Sequence, residues 1–171
     1  NPLLGGLAGD ALTDADYNVA VGTIALSADT LGSRSTAVGY ASLLAQNFSS
    51  ATDTYNTAVG FYAGTAITTG VQNTIVGAEA GDALTDADYN TAVGFRALGT
   101  DTLGNRSTAL GYRALNTQNF DSATDTYNTA VGFQTGYSIT TGTNNTLIGG
   151  LAGDAITTGY SNVALGVNAA G

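Results

Sequence analysis

The sequence predicts an all-β chain wound as a parallel β-solenoid of about ten stacked coils, on three observations. A five-residue phrase, Asn/Ser-Thr-Ala-Val-Gly with small variations, closes on Gly5, Gly22, Gly39, Gly60, Gly77, Gly94, Gly111, Gly132, Gly149 and Gly166. The intervals between these glycines are 17, 17, 21, 17, 17, 17, 21, 17 and 17, so a super-repeat of 72 residues recurs. Glycine also returns too often for helix, where each interior glycine costs about 1 kcal/mol relative to alanine. Residues 1–171 therefore read as one repetitive segment. Because Asn1-Pro2-Leu3-Leu4-Gly5 is already a phrase, the segment reads as a window of a longer fibre.

The phrase is the first element of each coil. The residue before its glycine is always a branched aliphatic: Leu4, Val21, Val38, Val59, Val76, Val93, Leu110, Val131, Ile148, Leu165. That regularity in a β-prone pentapeptide predicts a strand with the branched residue facing the core. Alternation then places the preceding alanine on the opposite face, which needs a partner surface. A second apolar position follows the glycine: Leu12, Leu31, Phe48, Ile67, Leu84, Leu103, Phe120, Ile139, Ile156. Turns are marked by Thr68-Thr69-Gly70, Thr140-Thr141-Gly142, Thr157-Thr158-Gly159 and Leu31-Gly32-Ser33. At about 4.8 Å per coil the stack is about 45 Å long, and each super-repeat advances about 19 Å.

Stacking places equivalent residues in columns. One reads Tyr17, Arg34, Tyr55, Gln72, Tyr89, Arg106, Tyr127, Asn144, which predicts two Tyr–Arg–Tyr stacks with cation–π contacts. A second holds Tyr40, Phe61, Phe95, Tyr112 and Phe133, as a surface ladder or an inter-chain core. The asparagines opening the phrases (Asn18, Asn56, Asn73, Asn90, Asn128, Asn145, Asn162) form a third, able to hydrogen-bond along the axis. The two 21-residue coils carry four extra residues near Gln46, Asn47, Phe48, Ser49, Ser50 and near Gln118, Asn119, Phe120, Asp121, Ser122. Insertions in a solenoid fall on one face, so these are the candidate binding loops.

Phrases such as Asn56-Thr57-Ala58-Val59-Gly60-Phe61 and Ser107-Thr108-Ala109-Leu110-Gly111-Tyr112 resemble the head repeats of trimeric autotransporter adhesins, and are similar to repeats of phage tail-fibre-like proteins. The resemblance runs through essentially the whole chain, although the coils here are longer than in a typical adhesin head. It implies a left-handed β-roll, three chains per rod, and a place on a cell surface or a virion. Close packing of alanine- and glycine-lined faces between chains argues for a homotrimer from the residues as well, with a monomeric solenoid as the alternative.

Composition narrows the function. The chain has no His, Cys, Met, Trp or Lys, so a Ser-His-Asp or Cys-His arrangement and the usual zinc and copper sites are excluded. The charge of −9 argues against nucleic-acid and anionic-membrane partners, and no apolar run is long enough to span a bilayer. Asp10, Asp14, Asp16 and Asn18, repeated as Asp82, Asp86, Asp88 and Asn90, have the alternate-oxygen pattern of a calcium loop without its glycine and distal glutamate. No other cofactor is expected. Paired carboxylates without a cleft do not make a glycosidase, so the chain is expected not to be an enzyme.

The expected role is a structural stalk or head segment of an extracellular appendage. It would associate with itself as a homotrimer or longer filament, and its loops would meet a host-surface or glycan ligand. A phage tail-fibre shaft is the alternative. An ice-binding solenoid is a third reading, suggested by the Thr columns. Against it, Pro2, Val19 and Val163 interrupt the Thr of the phrase and aromatics break the neighbouring row.

Overall fold

The computed structural model describes all of residues 1–171. The chain has no helix and fourteen short strands. Ten of them form one parallel sheet: β1 Leu3–Leu4, β2 Val19–Val21, β4 Thr36–Val38, β6 Thr57–Val59, β7 Thr74–Val76, β8 Thr91–Val93, β10 Thr108–Leu110, β12 Thr129–Val131, β13 Thr146–Ile148 and β14 Val163–Leu165. Each lies beside the next in chain order, and like pairs with like: Ala20 with Ala37, Ala37 with Ala58, Ala92 with Ala109. The predicted ten-coil solenoid is the fold. Two small parallel pairs, β3 Gly32–Ser33 with β5 Thr52–Asp53 and β9 Gly104–Asn105 with β11 Thr124–Asp125, join the stretch just after each insertion to the preceding 17-residue coil.

The turns stack as well as the strands. Of 92 backbone hydrogen bonds, 73 lie outside the regular strand pairing; they include bonds between turns of successive coils, such as Leu26 N–H to Ser42 O, and bonds that close a turn within one coil, such as Ala25 N–H to Gly22 O. Those turns use left-handed backbone at three places per coil. Arg34, Ala41 and Leu43, for instance, have φ of 66°, 56° and 48°. For a non-glycine residue this costs about 1 kcal/mol or more, so one coil alone would not hold its shape; its neighbours' hydrogen bonds hold it.

The strand orientation corrects the expectation from sequence. The alanine of the phrase faces the core and the branched residue faces out. Ala20, Ala37, Ala58, Ala92, Ala109 and Ala130 are fully buried, whereas Val59 and Ile148 are 37% and 39% exposed. The physical reason is the width of the coil. The strand needs only a methyl because large side chains reach the core from the turn that follows it.

Those turn residues alternate in a way that conserves volume. Four residues after the phrase glycine the chain places Leu26, Leu43, Leu98 and Leu115, all fully buried. In five other coils that place is Gly9, Gly64, Gly81, Gly136 or Gly153, and a buried Ile67, Leu84 or Ile139, or the half-buried Leu12 or Ile156, enters three residues later instead. A methyl added at Gly81 would lie 2.9 Å from Leu84 and 3.1 Å from Ile75, so glycine there leaves room for two large neighbours. The interior is thus filled to one density by two coil types.

This alternation also corrects the second apolar position. Seven residues after the glycine, the column reads Leu12, Asp29, Gln46, Ile67, Leu84, Asp101, Gln118, Ile139, Ile156. In four coils the core therefore receives Asp or Gln, not Leu31, Phe48, Leu103 or Phe120, which come two residues later.

Candidate functional site

The phrase asparagines form an internal ladder. Each except the last, Asn162, accepts through Oδ1 the backbone N–H of the residue in the same place of the next coil, as Asn56 does from Asn73 at 2.9 Å and Asn128 from Asn145 at 2.9 Å. The same six donate through Nδ2 to a carbonyl 14 residues on, as Asn90 does to Gly104 at 2.9 Å. Satisfied on both sides, these buried amides add cohesion rather than a desolvation cost.

The ladder is interrupted by Ser35 and Ser107, and there the two buried polar clusters sit. Asp29 accepts from the Gly32 N–H at 3.0 Å and from Gln46 Nε2 at 2.6 Å. Gln46 also donates to Ser35 Oγ at 2.8 Å and accepts from Asn56 Nδ2 at 2.9 Å, and the Ser35 and Thr54 hydroxyls are hydrogen-bonded to each other at 2.6 Å. Asp101, Gln118, Ser107, Thr126 and Asn128 repeat the cluster 72 residues later. Both carboxylates are fully buried. Burial pushes the Asp101 carboxyl above its ordinary range, opposed by hydrogen bonds from Gln118 and from the backbone of Gly104, Phe120 and Leu103. The sequence reading missed these clusters because it matched coils by hydrophobicity. Counting seven residues from each glycine would have found them.

The predicted binding loops divide. The four added residues of each long coil are 48–51 and 120–123. Phe48 and Phe120 are buried anchors, and Gln46 and Gln118 belong to the polar clusters, so these four are not contact residues as expected. Asn47, Ser49 and Ser50, and Asn119, Asp121 and Ser122, are exposed at the surface.

Both Tyr–Arg–Tyr stacks form. The Arg34 guanidinium lies 4.9 Å from the Tyr17 ring and 5.8 Å from the Tyr55 ring, and Arg106 lies 4.6 Å from Tyr89 and 6.0 Å from Tyr127. Asp53 and Asp125 complete them with ion pairs to Arg34 and Arg106 at 2.9 and 3.0 Å. These hydrogen-bonded carboxylates raise the pKa of each arginine further. The second aromatic column is stacked along the axis: Tyr40 on Phe61 at 5.5 Å, and Phe95, Tyr112 and Phe133 in succession at 5.7 and 5.1 Å.

The residues considered for calcium do not converge, and no group of three acidic side chains is disposed to hold a metal. Asn18 and Asn90 are committed to the internal ladder. Asp86 accepts from the Thr69 hydroxyl, and Asp88 from the Val71 N–H at 2.7 Å. Asp10, Asp14 and Asp16 are exposed, and Asp82, pushed up by partial burial, keeps one oxygen without a partner.

Comparison with protein-family models, with curated proteins and with solved structures finds no match.

Proposed function

We propose that this chain is a rigid structural segment of an extracellular surface appendage, on a cell or, by the same physics, as part of a phage tail-fibre shaft. Its role is mechanical, with no catalytic step. It sets a distance and presents its two exposed loops, Asn47–Ser50 and Asn119–Ser122, on one side of the stack about 19 Å apart. Two weak contacts to a host-surface or glycan ligand at that spacing reinforce one another by raising effective concentration. The observation that carries this reading is the strict register of ten coils, in which every layer bonds the next through backbone and side-chain amides alike.

Self-association belongs to the same proposal, through the aromatic column, one of the two surfaces expected to pack between chains. The alanine columns are consumed inside each coil, so they do not pack between chains. The apolar surface left over includes the aromatic column, where Tyr40, Phe61 and Phe133 are 42%, 48% and 53% exposed. A homotrimer closed around that column would cover it.

Electron microscopy of the purified chain, with its mass measured in solution, tests both parts. The expected particle is a straight rod about 45 Å long, with three times the 17.0 kDa chain mass. A flexible or globular particle would overturn the rod, and a mass of one chain would overturn the trimer.

A further inference from the structure

We propose that the outward face of the ten-stranded sheet is an ice-binding surface. Each strand turns two side chains out, and they form two straight columns. One is Thr36, Thr57, Thr74, Thr91, Thr108, Thr129 and Thr146, unbroken through seven consecutive coils. The other is Val38, Val59, Val76, Val93, Leu110, Val131 and Ile148 in the same coils. Pro2, Val19 and Val163, which interrupt the threonines in sequence, fall in the outermost coils and leave the middle intact. The aromatic column begins two residues after the valine, beyond the phrase glycine, and so lies outside both columns.

The threonine hydroxyls bond to no other protein group. The hydroxyls that do find partners, such as those of Thr30, Thr54, Thr85, Thr102 and Thr126, are in the turns. The free hydroxyls repeat every ~4.8 Å along the axis and stand ~6.7 Å from the aliphatic column, because residues two apart on a strand share a face. Spacing along the stack is held constant: the N–H of each phrase glycine meets the preceding coil's branched residue at 2.7–2.8 Å throughout. Hydroxyls that anchor water, alternating with methyls that confine it at a fixed repeat, form a template for an ordered water lattice.

Other occupants fit less well. Neither column contains a charge, although the chain carries −9, so a charged partner finds no complement here, whereas a neutral lattice needs none. A face of seven coils, about 34 Å long and about 10 Å wide, offers less than half of the ~800 Å² per partner that a stable protein interface buries. A dry partner would also leave seven hydroxyls to be satisfied. Sugar rings stack on the open faces of aromatics, and the nearby rings already cover one another's faces.

Thermal hysteresis, inhibition of ice recrystallisation and partition into a growing ice front, measured on the full chain, test the proposal. The expected result is halted crystal growth and incorporation into ice. Thr91→Tyr, at the centre of the face, should reduce the activity several-fold, and so should Thr91→Val, which preserves the strand's shape. Thr141→Tyr, in an exposed turn, should leave it unchanged. A wild-type chain that partitions and freezes like an inert protein would overturn the proposal, as would Thr91 variants that fold with full activity or that lower the solution mass. None of these results bears on whether the particle is a rod.

Discussion

At the scale of single residues the phrase glycine is the least replaceable position. Gly94 has φ of 129°, and a Cβ there would lie 2.5 Å from the carbonyl oxygen of Gly111 in the next coil. The clash is with backbone, which cannot rotate away. Gly94→Ala should therefore cost about 3 kcal/mol, combining dihedral strain with a forced separation of coils; denaturant unfolding would measure it, and an unchanged midpoint would refute the packing described. The stacked arginines are a milder case. In Arg106→Lys the ammonium keeps its charge opposite Asp125 but loses the planar group held between Tyr89 and Tyr127. Melting should fall by about 2–4 °C, and an unchanged melting temperature would mean that the stack is mere crowding.

At the scale of one coil the informative element is the buried polar cluster, in which Asp101 of a 17-residue coil meets Gln118 of the 21-residue coil that follows. Its buried Asp101 makes a prediction about pH whose sign follows from burial. The folded chain holds this carboxyl's proton more tightly than the unfolded chain does. The associated stability is fully present below the ordinary carboxylate pKa of about 4 and is lost as pH rises through the raised value. Asp82 and Asp88, also pushed up by partial burial, act in the same direction. The rod should melt higher near pH ~4 than near pH ~7, and Asp101→Asn should flatten that dependence; a wild-type profile that rises toward neutrality would contradict it. This element also marks where the sequence stopped being legible. Coil number, the phrase strand, the asparagine ladder and the Tyr–Arg–Tyr stacks were all readable from spacing, because stacking makes period equivalent to contact. The inward face of the strand was not. Both Val93 and Ala92 are apolar, and only the width of the interior, set by Leu98 from the following turn, decides which one enters. The buried Asp and Gln were hidden for a related reason: hydrophobic matching slid Leu103 and Phe120 into places that Asp101 and Gln118 hold.

For the whole molecule, the alternation of coil types fixes which coil lies on which, although all ten share one phrase. A slip by one coil keeps every phrase aligned yet sets Ile75 against Leu98, where the native partner position is Gly81, and separates Asp29 from Gln46. Only a shift of 72 residues restores each contact. Two deletions separate these cases. Removing residues 40–111 joins Gly39 to Tyr112, and Gln118 then takes the place of Gln46 beside Asp29. The product should fold cooperatively as a rod about 19 Å shorter. Removing residues 78–94 joins Gly77 to Phe95 and takes out only one coil, but brings Leu98 onto Ile75. Overpacking of this kind costs about 1–3 kcal/mol, so the smaller deletion should be the more damaging. Circular dichroism melts of the two would show it. Equal stability would mean that the phrase alone, without the interior alternation, specifies the stack.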